Sequence, residues 1–263
     1  MNTENHQIST KNLSIGYSSK KQTTVIQKDI NITIEKGSLV VLLGKNGAGK
    51  STLLRTLCGV QKPVEGDVFI YQKNINDYSN LELAKTLGLV LTEKLPESQL
   101  TVFELIALGR QPYTNWIDKL SDNDIQKIEE AIELTEIEEF KNRRFYELSD
   151  GQLQRVLIAR AIAQDTEIIV LDEPTAHLDI HHTYKILSLL KNLVIKTGKT
   201  ILLSTHEVNL SMQLGDNFIL LNDNELHTGT ASELIPKKAF HNLFPKDLIA
   251  FNTTLQQFVI KQK

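Results

Sequence analysis

The sequence holds a single cysteine, Cys58, so no disulfide can form within the chain, and a reducing compartment suits it best. The opening MNTENHQIST lacks the apolar core of a secretory signal and points the same way, to the cytosol. No apolar run approaches the roughly 20 residues that a bilayer span requires. The longest, such as LVVLLG and IIVL, are only as long as a buried strand. The chain is therefore expected not to cross a membrane by itself. Neither sign of charge dominates. Lys and Arg number 29 against 32 Asp and Glu, and the net −3 gives no general pull toward nucleic acid or anionic lipid. Internal repeats, low-complexity linkers and heptad runs are also missing. What remains is an ordinary globular composition, 41% hydrophobic and 23% charged. Its 263 residues suffice for one large domain or a core with a subdomain.

Periodicity divides the chain into textures. QISTKNLSIGY and VIQKDINITIE alternate apolar and polar residues, as half-buried strands do, and Gly37 closes a turn before the continuous run Leu39–Leu43. That run is apolar on both faces, which predicts a central parallel strand. A helix is predicted over Lys50–Val60, then a strand in GDVFIYQK, a short helix capped by Ser79 and running to Lys85, and a strand in LGLVL. From about Thr92 to Gln164 the pattern turns helical. Thr101 with Glu104 reads as a capping box, Ser121 and Asp122 start a helix with Ile125, Ile128 and Ile132 on one face, and Ser149 caps GQLQRVLIARAIA. Alternation then resumes: strand Glu167–Leu171, helix from about Asp179 to Lys196, strand Thr200–Ser204, helix Val208–Leu214, strand Phe218–Leu221. Strands separated by helices imply right-handed crossovers and a largely parallel α/β sheet. The expected organisation is one domain. Its α/β core spans 1–91 and 165–230, a helical subdomain is inserted at 92–164, and 231–263 form a tail of unassigned role.

One corner of the chain carries a specific chemical pattern. Gly44-Lys45-Asn46-Gly47-Ala48-Gly49-Lys50-Ser51 fits G-x-x-x-x-G-K-[ST] between a strand and a helix, the context of a P-loop. Its glycines let backbone N–H groups turn inward on phosphate oxygens, and the helix N-terminus adds partial positive charge. Gly44, Asn46, Gly47, Ala48, Gly49, Lys50, Ser51 and Thr52 are the candidate phosphate binders. Lys50 is placed to reach the β- and γ-phosphates and the Ser51 hydroxyl to ligate Mg²⁺. In EIIVLDEPT, Asp172 and Glu173 end an apolar strand, at the sheet edge where α/β proteins bind ligands. Asp172 suits a magnesium-bound water, and Glu173 suits the general base that polarises the attacking water. Together these parts favour hydrolysis of a nucleoside triphosphate. His177, His181 and His182 crowd one loop without the Cys or carboxylate partners of a zinc site, so no metal role is assigned to them.

A third part narrows the class. LSDGQ (Leu148–Gln152) opens a helix some twenty residues before the acidic strand, AHLD follows Pro174-Thr175, and STH ends the next strand at His206. In this order the motifs resemble those of the nucleotide-binding subunit of ABC transporters, and the resemblance covers the chain from Tyr17 to about residue 230. It implies a P-loop NTPase core with a largely parallel sheet, an antiparallel β subdomain and the inserted α-helical subdomain, with ATP and Mg²⁺ as cofactors. It also implies a head-to-tail homodimer. Ser149, Gly151 and Gln152 of one copy would then meet the ATP held by the P-loop of the other. Asp179 would communicate across the dimer, His206 would hold the γ-phosphate and attacking water, and Tyr17 would stack on adenine. Ser149 is equally an ordinary helix cap, His206 a strand-end histidine and Tyr17 a packing residue; order and spacing together select the functional reading.

Two positions depart from the family pattern. Asp150 stands where glycine is usual, and Glu93 where a magnesium-contacting glutamine is expected. A carboxylate can ligate magnesium but cannot donate the hydrogen bond of an amide, and Glu93 is carried as a candidate ligand. The run TVFELIALGRQPYTNW resembles importers of iron–siderophore complexes, haem and vitamin B12. That resemblance implies a membrane permease docked on the helical block, an extracytoplasmic substrate-binding protein, and residence at the cytoplasmic face of the membrane. No nucleic-acid partner is expected. The rival readings are an ATPase of another transporter or a soluble ABC-type assembly ATPase.

Overall fold

The computed structural model describes residues 6–18, 22–91, 98–114, 119–222, 225–244, 249–255 and 257–261. The chain begins with the strands β1 (His6–Ser18), β2 (Thr23–Ile30), β3 (Thr33–Glu35) and β4 (Leu39–Gly44). A glycine-rich loop leads into helix α1 (Lys50–Leu57), and then come β5 (Glu65–Ile70), β6 (Lys73–Asn74), α2 (Asn80–Thr86) and β7 (Leu87–Val90). Three helices follow, α3 (Val102–Ala107), α4 (Asp122–Thr135) and α5 (Asp150–Ala163). Strand β8 (Ile168–Leu171), α6 (Ile180–Thr197), β9 (Thr200–Ser204), α7 (Val208–Leu214) and β10 (Asn217–Leu221) return to alternation. The C-terminal part adds β11 (Leu226–Gly229), α8 (Ala231–Leu234) and the strands β12 (Ile249–Asn252) and β13 (Gln257–Ile260).

Two sheets face each other. One is antiparallel, ordered β2-β1-β5-β6 with β3 also on β1; the other is ordered β11-β10-β4-β9-β8-β7 and is parallel except for its edge strand β11. The continuous apolar run in β4 has the expected cause. Leu39, Val41 and Leu43 enter the core shared with the helices, while Val40 and Leu42 enter the core beneath the antiparallel sheet. Strand β8 divides likewise, with Ile169 and Leu171 on one side and Ile168 and Val170 on the other. Strands buried on both faces read as unbroken hydrophobic runs. Because β4, β9 and β8 are adjacent and parallel, their C-terminal ends emerge side by side at one edge of the sheet.

The caps expected at Ser79, Thr101, Ser121 and Ser149 are all present as reciprocal capping boxes. Helix α1 is shorter than expected, ending at Leu57 rather than Val60. Gly59 adopts φ +72°, and Gly59 and Val60 direct their N–H groups back to the carbonyls of Thr56 and Arg55. Ile125 is also corrected: it is 41% exposed, and α4 buries Ile128, Ala131, Ile132 and Thr135 instead. The tail is no loose appendage, since Phe240, Leu243 and Phe251 belong to the same core as Leu39 and Val41.

Inside the helical block, Arg110 of the LGR-x-P run is 2% exposed. It donates through Nε to Asp124 at 2.8 Å and through Nη1 to the Ala163 carbonyl at 2.7 Å, and lies over the Tyr113 ring. The guanidinium thus ties the end of α3 to the start of α4 and the end of α5. This arginine faces inward.

Candidate functional site

The loop between β4 and α1 turns on two glycines with positive φ, Gly47 at +80° and Gly49 at +98°. A Cβ on Gly49 would lie 2.8 Å from Ile26, so that position needs glycine for space as well as for conformation. Around Gly47 there is open room, with nothing within 4 Å of an added Cβ. Beside the loop lies a cleft of about 670 Å³, lined among others by Tyr17, Gly47, Lys50, Ser51, Glu173 and His206.

Lys50 begins α1 and is 5% exposed. Its Nζ donates to the carbonyls of Gly44 at 3.1 Å and Lys45 at 3.4 Å and lies 3.8 Å from Glu173 Oε1. Burial pushes its pKa below the ordinary lysine value, and the carboxylates of Glu173 and Asp172 act in the opposite direction. The Ser51 hydroxyl donates to Asp172 Oδ1 at 3.0 Å. Asp172 directly follows β8, and β4 and β8 flank β9, so the pairing of Ser51 with Asp172 is set by strand order.

Between them stands Ser204, the last residue of β9, fully buried. Its Oγ donates to Asp172 Oδ1 at 2.7 Å and accepts from the Glu173 N–H at 2.9 Å. Sequence reasoning did not single out Ser204. The available signal was a hydroxyl ending an otherwise apolar central strand, next to the acidic one. Glu173 takes φ +49°, a conformation uncommon for a side chain larger than asparagine, and its backbone bond to Ser204 helps to hold it. The His206 Nε2 lies 2.8 Å from Glu173 Oε1 and 3.3 Å from Lys50 Nζ. One ring nitrogen cannot serve both. Protonated, it donates to the carboxylate; bare, it accepts from the ammonium. The shorter contact selects the proton on Nε2, directed at Glu173.

Tyr17 sits at the cleft rim, 58% exposed, with its hydroxyl 3.2 Å from Thr52 Oγ1. Asn46 also lines this cleft and, with Gly44, borders a second cavity of about 640 Å³, and Ala48 is packed into the core. The remaining residues are elsewhere: Ser149, Gly151, Gln152 and Asp179 do not line the cleft of their own chain. Ser149 and Gln152 bond each other's backbone N–H at the start of α5, and Asp150 is exposed on the first turn. Asp179 caps α6 and meets His182 Nδ1 at 2.8 Å; its carboxyl is held below the ordinary range, chiefly by the His182 backbone N–H. The His182 ring lies against Gly151, where an added Cβ would come within 2.8 Å of it. Glu93 lies outside the described residues.

A buried ammonium, two carboxylates, a hydroxyl pair and a helix start converge on one cleft, which is the equipment of a nucleotide-hydrolysing P-loop protein. The ABC transporter family profile matches residues 27–176, and the chain belongs to that family as an ATP-binding, ATP-hydrolysing cassette. It is 37% identical over 241 residues to the iron(3+)-hydroxamate import ATP-binding protein FhuC of Bacillus subtilis, covering 91% of this chain and 88% of that one. It is 34% identical over 238 residues to the petrobactin import ATP-binding protein FpuD of Bacillus anthracis, covering 90% and 86%. A chain of an inward-facing ABC transporter described as of metal-chelate type superposes with a TM-score of 0.79 at 28% identity, covering 97% and 96%. Among the described residues no helix is long and apolar enough to cross a membrane.

Proposed function

We propose that this chain hydrolyses ATP to energise import of an iron–siderophore or similar metal chelate through a separate permease. One observation carries the substrate class: relatives whose names specify iron-hydroxamate and petrobactin import align with about nine-tenths of the chain. In this reading the backbone of Gly44–Gly49 and the start of α1 receive the phosphates. Lys50, already desolvated, exchanges its carbonyl partners for β- and γ-phosphate oxygens. Thr52 closes the cradle and fixes the Tyr17 hydroxyl, leaving the tyrosine ring to stack on adenine.

The oxygen donors Ser51 and Asp172, already 3.0 Å apart, suit a hard divalent cation. Magnesium held there would neutralise charge on the phosphate oxygens. Glu173 accepts the proton of the attacking water, and His206, donating to Glu173 in the free chain, turns to the γ-phosphate side as the cleft fills. Ser149, Gly151, Gln152 and Asp179, absent from their own chain's cleft, act on the nucleotide of a second copy. Support comes from a dimeric bacterial ABC transporter cassette, which superposes with a TM-score of 0.73 at 33% identity, covering 85% of this chain and 98% of that one. The dimer works at the cytoplasmic face of the membrane beneath its permease, which receives the chelate from an extracytoplasmic binding protein. Deleting the gene for the chain should abolish energy-dependent uptake of radiolabelled ferric hydroxamate or a related chelate. Uptake at the parental rate for every chelate tested would remove the assignment.

A further inference from the structure

The loop that carries His206 is short and is anchored upstream by buried Thr205, whose N–H donates to the Leu42 carbonyl at 3.4 Å and whose hydroxyl lies 3.2 Å from that of Thr175. Glu207 and Val208 reach back only to Thr205 Oγ1 and the His206 carbonyl, and α7, which starts at Val208, has no side-chain cap. Seven residues are far too few for a helix to hold its place without tertiary support. Its partners therefore decide where α7 sits, and with it the histidine two residues upstream.

Val208 and Met212 set the inner face of α7 into the main core beside α6 and β4, and on its other side the partner is the C-terminal hairpin. Asn209, in the first turn of α7, presents its side-chain amide to β13 as a neighbouring strand would. Its Nδ2 donates to the Phe258 carbonyl at 3.2 Å, and its Oδ1 accepts from the Phe258 N–H at 2.8 Å. A two-stranded hairpin is marginal in water and must itself be anchored. The anchor is a run of aromatic rings. Phe258 packs edge-on against Phe251, Phe251 stacks on Phe240, and Phe240 meets Phe218 of β10, with centroids 5.1 to 5.7 Å apart. Phe244 adds a second edge-on contact to Phe258 at 4.7 Å. The grip on α7 is thus tied back to β10, the strand adjoining β4, from which the P-loop springs. His206, Val208 and Phe244 also share the walls of two cavities, of about 640 and 260 Å³. The outer side of the histidine is bounded by this segment.

We propose that the C-terminal hairpin, acting through Asn209, positions His206 for hydrolysis, so that Asn209 is a positioning residue of the ATPase; this rests on the role of His206 proposed above. Steady-state hydrolysis by the purified protein tests it in four variants, two of the whole chain and two lacking the hairpin. His206→Ala should be inactive. Asn209→Ala should lower kcat about tenfold, the rate equivalent of one or two lost hydrogen bonds, with KM for ATP changed less than twofold and thermal stability close to wild type. Removal of 249–263 should lower kcat by the same factor, and adding Asn209→Ala to it should cost nothing further. Wild-type turnover in His206→Ala would remove the histidine's role and this inference with it. Turnover lost in His206→Ala but kept in Asn209→Ala would overturn the inference alone. A loss in Asn209→Ala that tracks loss of folded protein, or additive losses in the double variant, would overturn it as well.

Discussion

An ammonium buried beside two carboxylates is held between opposing demands, and Lys50 shows how the free chain meets them. Burial lowers its pKa, Glu173 and Asp172 act against that shift, and its Nζ rests on carbonyls of its own loop. Lys50→Ala should reduce ATP hydrolysis at least a hundredfold; a purified variant with wild-type turnover would contradict the phosphate role. Ser204 offers a sharper test because it never touches the ligand in the proposed reading. Ser204→Ala removes the bond to Asp172 and leaves the Glu173 N–H without its acceptor, a cost of about 1–3 kcal/mol in stability. The Mg²⁺ concentration for half-maximal hydrolysis should also rise about tenfold, as when a ligand loses its supporting hydrogen bond. An unchanged magnesium requirement would mean that Asp172 is oriented by other means. Lys50, Ser51, Asp172 and Glu173 could be read from the sequence because strand-end and loop spacing select them. Ser204 could not, since a serine ending a strand acquires meaning only when strand order places it between β4 and β8.

Helices α3, α4 and α5, packed through a shared apolar core, are cross-linked by one buried ion pair. Arg110→Ala would leave the buried Asp124 carboxylate without its counter-charge, bonded only to Ser121, and should destabilise the protein by about 3 kcal/mol, read as a fall in melting temperature. The pH dependence has a definite sign. Burial opposes ionisation of Asp124, but Ser121 and Arg110 outweigh it and hold the carboxyl below its ordinary value. Its contribution is present above the unfolded carboxyl pKa of about 3.9 and disappears as pH falls through the lower folded value. Asp124→Asn should therefore melt well below wild type at pH 7, with the gap closing in strong acid; a constant gap would exclude this origin. The caps and the apolar face of α4 were legible from spacing alone, except at Ile125. There periodicity gives a stripe but not its edge, and packing against α5 centres the buried face on Ile128 and Ile132. Helix α1 was over-extended because Gly59 can lie inside a helix or end it, and only its backbone angle decides. Arg110 has a similar lesson: its motif resembles that of a transporter group, while its side chain does internal structural work.

At the scale of the whole molecule, the largely parallel sheet followed from alternating textures and the antiparallel subdomain from the family resemblance, whereas β12 and β13 were illegible. Their residues alternate weakly, and the hairpin is held by rings from distant parts of the chain. The proposed assembly has a direct test. Glu173→Gln keeps the side chain's shape but cannot accept a proton, so hydrolysis should fall about a thousandfold while ATP still binds. Gel filtration with ATP should then show a dimer; a variant that stays monomeric at saturating nucleotide would argue against two chains sharing one ligand. The contact between His182 and Gly151 bears on how such a pair would close. The starts of α5 and α6 meet through that imidazole, which occupies the space a Cβ at position 151 would need. Gly151→Ala should therefore push the ring aside and unsettle how the two helix starts are set against each other before any neighbour arrives.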